Sequence, residues 1–170
     1  SRFSFENGVY SNNQQSTNQQ GESARLMMVG DLMARFRQQN LASRHFGYQF
    51  DYSFSHVTDV LEQADFAIGN LETMVSESSP YTLEKEHVNA RPHLNVPPSF
   101  LGAVRRAGFD AVVNAQNHIY DAGVRGIFET LAAANQAQLM HTGVFTSSAD
   151  QRFLLVNING IKVGIVAYLD

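Results

Sequence analysis

Short apolar runs, each closed by a polar group, alternate with stretches of helical spacing along most of this chain. Leu26-Met27-Met28-Val29 ends in Gly30-Asp31, as a buried strand entering a loop does. Phe54 to Ala64 has helical spacing, with Phe54, Val57, Val60 and Leu61 on one face. Phe66-Ala67-Ile68 is a second run and leads into Gly69-Asn70-Leu71-Glu72, after which Thr73 to Val96 reads as irregular and polar. Pro97-Pro98-Ser99 predicts the start of a helix through Ala107, closed by Gly108. Ala111-Val112-Val113 is the third run and ends in Asn114-Ala115-Gln116-Asn117-His118. A helix is predicted from about Val124 to Gln136, with Ile127, Leu131 and Ala134 on one side, then a short strand from Gln138 to His141. Phe153 to Ile158 and Ile161 to Tyr168 flank Asn159-Gly160, the signal for a two-residue hairpin.

Strands alternating with helices predict an α/β fold built on a mostly parallel sheet, with the hairpin antiparallel at one side. Residues Ser11 to Glu22 are almost wholly Asn, Gln, Ser and other polar types, too poor in apolar surface to offset ordering entropy. Residues 1–23 are therefore expected to be a flexible tail or linker, and 24–170 the folded part. The chain stops at Asp170 directly after an apolar strand, so the domain is expected to be incomplete, its remaining half lying elsewhere.

Composition narrows the chemistry. The 12 basic and 16 acidic residues give a net charge of −4, and the basic ones are scattered, which argues against nucleic acid as a partner. The absence of cysteine excludes disulfides and thiolate metal sites. No apolar run reaches the roughly 18–20 residues of a membrane span.

The polar groups fall where a ligand site forms in an open parallel sheet, at the carboxyl ends of the strands. Parallel neighbours are expected to bring Asp31, Asn70, Glu72, Asn117 and His118 together. Hard oxygen donors with one imidazole suit Mn, Mg, Fe or Zn, ions that act as Lewis acids and acidify bound water. Each group has a plainer reading as well. Asp31 is also placed to cap a turn, Asn70 and Glu72 to hold a loop, and Asn117-His118 to serve as a turn amide and a structural imidazole. Asp121 is either a helix cap or a partner of His118. His45, His56, His87, His93 and His141 stand alone, which is ordinarily structural or surface placement. The alternation Tyr48, Phe50, Tyr52, Phe54 reads as a core stripe before a substrate groove.

Asn117-His118-Ile119-Tyr120-Asp121-Ala122-Gly123 resembles the Asn-His-x-x-Asp-x-Gly signature of calcineurin-like metallophosphoesterases. With Val29-Gly30-Asp31-Leu32-Met33, Ala64-Asp65, Asn70-Leu71-Glu72, Ala90-Arg91-Pro92 and Ala107-Gly108-Phe109-Asp110, the chain more closely resembles the bacterial poly-gamma-glutamate capsule synthesis (CapA-type) family, over about Leu26 to Asp170. The resemblance implies the N-terminal half of a four-layer α/β/β/α sandwich and a divalent metal ion. It implies Asp31, Glu72, Asn117 and Asn70 as metal-binding residues, His118 as leaving-group acid or charge stabiliser, and Asp121 as its orienting partner. It further implies a capsule biosynthesis protein acting as a metal-dependent hydrolase on an anionic polymer or phosphoester. The alternative is a non-catalytic component of a capsule assembly or export complex at the membrane. The implied location is extracytoplasmic, anchored through a segment absent here. The usual metallophosphoesterase Asp-x-His reads Asp31-Leu32-Met33 in this chain, so that imidazole is missing.

Overall fold

The structure, a computed structural model, describes residues 2–12, 23–82 and 93–169. In chain order its elements are β1 (Phe3–Glu6), β2 (Val9–Asn12), β3 (Leu26–Leu32), α1 (Phe36–Ala42), β4 (Ser43–Arg44) and β5 (Gly47–Tyr48). A 3₁₀ turn (Asp51–Phe54), α2 (Thr58–Leu61), β6 (Phe66–Leu71), β7 (Met74–Val75), β8 (Asn95–Val96) and α3 (Ser99–Arg106) follow. The last are β9 (Ala111–Val113), α4 (Gly123–Gln136), β10 (Met140–Thr142), β11 (Leu154–Ile158) and β12 (Ile161–Ile165).

Strands β10-β9-β6-β3 form one sheet, parallel throughout, and β1-β2-β11-β12 form another. Side chains on successive residues of a strand point to opposite faces, and β6 shows what each face meets. Phe66 and Ile68 join Phe3, Leu154, Val156 and Ile158 in a cluster between the two sheets. Ala67 and Leu71 join Phe100, Leu101, Val104, Ala133 and Ala134, the buried stripes of α3 and α4. Both faces of β6 are thus covered, one by helices and one by a second sheet. The observed layering is α/β/β, an α/β layered fold, and each large apolar side chain closed off this way contributes about 1.5–3 kcal/mol.

Several expectations change. The hairpin at Asn159-Gly160 forms with both residues at positive φ, 52° and 90°, but it belongs to the second sheet and not to a margin of the parallel one. The reading of 1–23 as a tail misses β1 and β2: Phe3 is buried edge-on against Phe66, and β2 pairs with β11. Residues 13–22 of that stretch lie outside the described residues, as do His87 and Ala90-Arg91-Pro92. The segment after Glu72 is less irregular than expected, since Met74 and Val75 are buried and pair with Asn95 and Val96. The predicted helix over Phe54–Ala64 shrinks to α2; Leu61 is buried but Val57 and Val60 are about half exposed. On α4 the buried stripe is Gly126, Thr130, Ala133 and Ala134, one position from the expected face.

The aromatic alternation packs on the core. Phe50 is buried, stacks on Tyr48 and meets Phe100 edge-on, and Phe54 reaches Phe100 and Phe109, whereas Tyr52 stays exposed. No helix among the described residues is long and apolar enough to cross a membrane.

Candidate metal centre

The carboxyl edge of the parallel sheet carries two separate polar groupings. The first is set by a bulge. Met28 pairs with Ile68, but Asp31 pairs with Asn70, so β3 uses one more residue than β6 over the same rise. In unbroken register Gly30 would face Asn70, and Asp31 would turn to the opposite face. The extra residue re-aims Asp31, as bulges beside functional sites commonly do. The Asn70 amide nitrogen then donates to Asp31 Oδ1 at 2.9 Å and to Glu72 Oε2 at 2.7 Å. Asp31 is exposed and Asn70 and Glu72 half-buried, so solvent and ligands reach them.

The second grouping lies in the turn between β9 and α4. His118 is buried, and its Nδ1 sits 2.6 Å from Asp121 Oδ2. The same carboxylate oxygen accepts the Leu94 N–H at 2.7 Å. Asp121 therefore orients the imidazole and ties it to the strand-like Leu94 segment; it does not cap α4, whose start has no side-chain cap. With Nδ1 engaged by Asp121, Nε2 is the ring nitrogen left for a ligand. Asn117, next door, is exposed.

The expected site residues thus fall into two hydrogen-bonded groups. Among the described residues, no three His, Asp or Glu side chains come close enough together to hold a metal ion alone. The reason is local: Asn70 is level with Val113, the last residue of β9, while Asn117 and His118 come four and five residues later in a turn. Asn114, buried directly after that row, has its Oδ1 unpartnered, and so does Thr142 Oγ1 on the neighbouring strand. The Asn114 N–H donates to Thr142 O, which fixes the two strand ends together. Sequence reading passed over Asn114 although it stands at the end of an apolar run, the same signal that marked Asp31.

The donor chemistry fits a hard divalent cation. Two carboxylates share one amide, and the Asn70 side chain, turned over, would present its oxygen where the NH₂ now bridges. That provides part of a coordination shell and no more.

Residues 25–170 match the family model described as Bacterial capsule synthesis protein PGA_cap. The chain belongs to that family. It is 30% identical over 152 residues to "Capsule biosynthesis protein CapA" of Bacillus anthracis, covering 89% of this chain and 36% of that protein. It is also 23% identical over 122 residues to "PGA biosynthesis protein CapA" of Bacillus subtilis (strain 168), covering 71% and 31% respectively. "Uncharacterized protein y4sH" of Sinorhizobium fredii is 30% identical over 127 residues, 73% of this chain and 25% of that protein. The chain thus spans between a quarter and about a third of these relatives.

Outside this edge, three of the isolated histidines have ordinary roles, while the buried Nε2 of His93 has no hydrogen-bond partner. His45 packs on Phe46, His56 lies near Tyr52, and His141 contacts Asn135. Burial pushes the His141 imidazole below its usual value and so favours the neutral ring.

Proposed function

We propose that this domain serves capsule polymer biosynthesis as a metal-dependent, phosphoesterase-like unit, acting outside the cytoplasm on a phosphoester or an anionic polymer. The observation that carries the reading is the bulge-directed trio Asp31–Asn70–Glu72 on the same sheet edge that leads to an oriented His118.

Asp31 and Glu72 would hold the ion, with the amide oxygens of Asn70 and Asn117 as further donors. Other donors would come from the rest of a protein longer than this chain, as its relatives are. A divalent ion held there supplies Lewis acidity and lowers the pKa of bound water. His118 Nε2, aimed by Asp121, would stabilise or protonate the departing oxygen, a contribution typically worth about 10²–10⁴ in rate. Net negative charge on the chain makes a cation the natural bridge to an anionic substrate.

One observation favours a second reading. Met33 stands where the usual metallophosphoesterase pattern carries an imidazole, which weakens the donor set and suits a metal-holding, non-catalytic component of a capsule assembly complex.

The test uses the full-length protein carrying this domain, with Asp31→Ala and His118→Ala made separately. Metal-dependent turnover of a phosphodiester and of poly-gamma-glutamate is then measured alongside capsule production. The enzymatic reading expects both variants to lose turnover and capsule together. Capsule lost only with Asp31→Ala, and no turnover in the parent, supports the non-catalytic reading. Unchanged capsule in both variants removes both readings.

A further inference from the structure

The segment that leaves the candidate metal edge carries a surface that the proposed chemistry does not use. Of the chain's 12 basic and 16 acidic residues, three arginines and no carboxylate fall between Met33 and Phe50, namely Arg35, Arg37 and Arg44. Within this basic stretch, α1 ends and the β4–β5 hairpin turns at His45-Phe46. Phe46, at that tip, is 97% exposed, and Leu41 at the end of α1 is 76% exposed. Among the described residues Phe46 is the most exposed large apolar side chain and Leu41 the most exposed aliphatic one.

The arrangement is organised. Arg37 and Leu41 are four residues apart on α1 and share a face. The Arg44 guanidinium folds back, Nη1 donating to the Leu41 carbonyl at 2.5 Å and to the Ser43 carbonyl at 2.7 Å. The hairpin tip is thereby fastened beside Leu41. The ring of His45 stands edge-on to Phe46 at 4.5 Å between centroids, which props the phenyl outward. Two protruding apolar groups flanked by arginines, on a chain that is acidic elsewhere, match the interface of an anionic bilayer: rings and aliphatic tips enter the headgroup boundary and guanidinium groups meet the phosphates. A polycarboxylate would satisfy the arginines but gives Phe46 and Leu41 nothing to bury against.

We infer that the α1 end and the β4–β5 tip form a docking surface for anionic phospholipid, with Phe46 and Leu41 inserted and Arg37 and Arg44 on the headgroups. One such contact is weak and reversible and acts as a second signal beside any other attachment.

The chain has no tryptophan, so Phe46→Trp creates a single reporter at an exposed site. Its emission is followed on adding phosphatidylcholine vesicles, vesicles of phosphatidylcholine and phosphatidylglycerol in equal parts, the latter with brominated chains, and soluble poly-gamma-glutamate. The expected result is a blue shift with anionic vesicles, quenching by brominated chains, weak response to phosphatidylcholine alone, and reversal by salt. Adding Arg37→Gln and Arg44→Gln should lower partitioning roughly 25-fold, at about fivefold per basic residue. Both arginines are exposed, and circular dichroism checks that the fold is retained. The inference is overturned by an unresponsive reporter, by partitioning that ignores the arginines, or by a response to poly-gamma-glutamate in place of vesicles. It is equally overturned if the reporter in the full-length protein is already blue-shifted before lipid is added, since another segment then occupies the surface.

Discussion

Arg2 grips Asp110 with two parallel hydrogen bonds, Nε to Oδ1 at 2.9 Å and Nη2 to Oδ2 at 2.5 Å, across 108 residues of sequence. The Asp110 side chain is wholly buried and also accepts the Ala67 N–H at 3.0 Å, while Arg2 reaches the Ala64 carbonyl. This pair straps the first strand to the parallel sheet. Asp110→Ala is expected to destabilise the domain by roughly 3 kcal/mol, the scale for breaking a buried, multiply bonded ion pair. Urea unfolding measures it, and a loss under about 1 kcal/mol would show that the strap is idle.

Acid should loosen the α4 face in a defined window. Hydrogen bonds from Ser76, and then Arg125, hold the Glu129 carboxyl at about 2 against an ordinary 4.5, with Ser78 adding to them. The folded chain therefore binds this proton less readily than the unfolded chain. The stability it lends is complete above about 4.5 and fades as pH falls toward 2. Glu129→Gln should flatten the urea midpoint between those limits relative to the parent. His141 acts in the same direction at higher pH: its lowered pKa makes stability full above 6.5 and declining below it.

Gly143 follows β10 with φ of 110°, and a Cβ there would lie 2.8 Å from the Ala115 backbone nitrogen. Gly143→Ala is expected to cost about 1–3 kcal/mol in strain. The displaced neighbour is in the turn that holds Asn117 and His118, so His118 ring signals in NMR should shift too. A stability change without such a shift would separate the turn from the strand end.

Asp121→Asn keeps an acceptor for the Leu94 N–H but no longer fixes which His118 nitrogen is protonated. The ¹⁵N shifts of the imidazole should report a mixed tautomer, and any phosphoester turnover of the full-length protein should fall about 100-fold. An unchanged tautomer would leave Asp121 a purely structural residue.

The parts legible in sequence were those with short-range causes. Asn159-Gly160 made a hairpin because both positions tolerate positive φ, and Pro97-Pro98-Ser99 and Gly108 bounded α3. The same logic at Asn7-Gly8, with φ of 51° and 80°, marks the β1–β2 hairpin, but the polar run beside it masked the signal. The site's residues were legible as strand-end types, yet their hydrogen-bonded grouping was not. It depends on an inserted residue at Val29-Gly30 and on the length of the turn before His118, and neither leaves a periodic trace. The role of Asp110 left no trace in the sequence because its partner, Arg2, is 108 residues away in the stretch read as a tail.

The central claim is that Asp31 and Glu72 hold a divalent ion through the site that Asn70 now bridges. Calorimetric titration of Mn²⁺ into the metal-stripped full-length protein, the parent against Asp31→Asn and Glu72→Gln, tests it most directly. The account predicts saturable uptake in the parent and at least a tenfold weaker affinity in each variant. Saturable uptake that is indifferent to both substitutions, or no uptake at all, would contradict it.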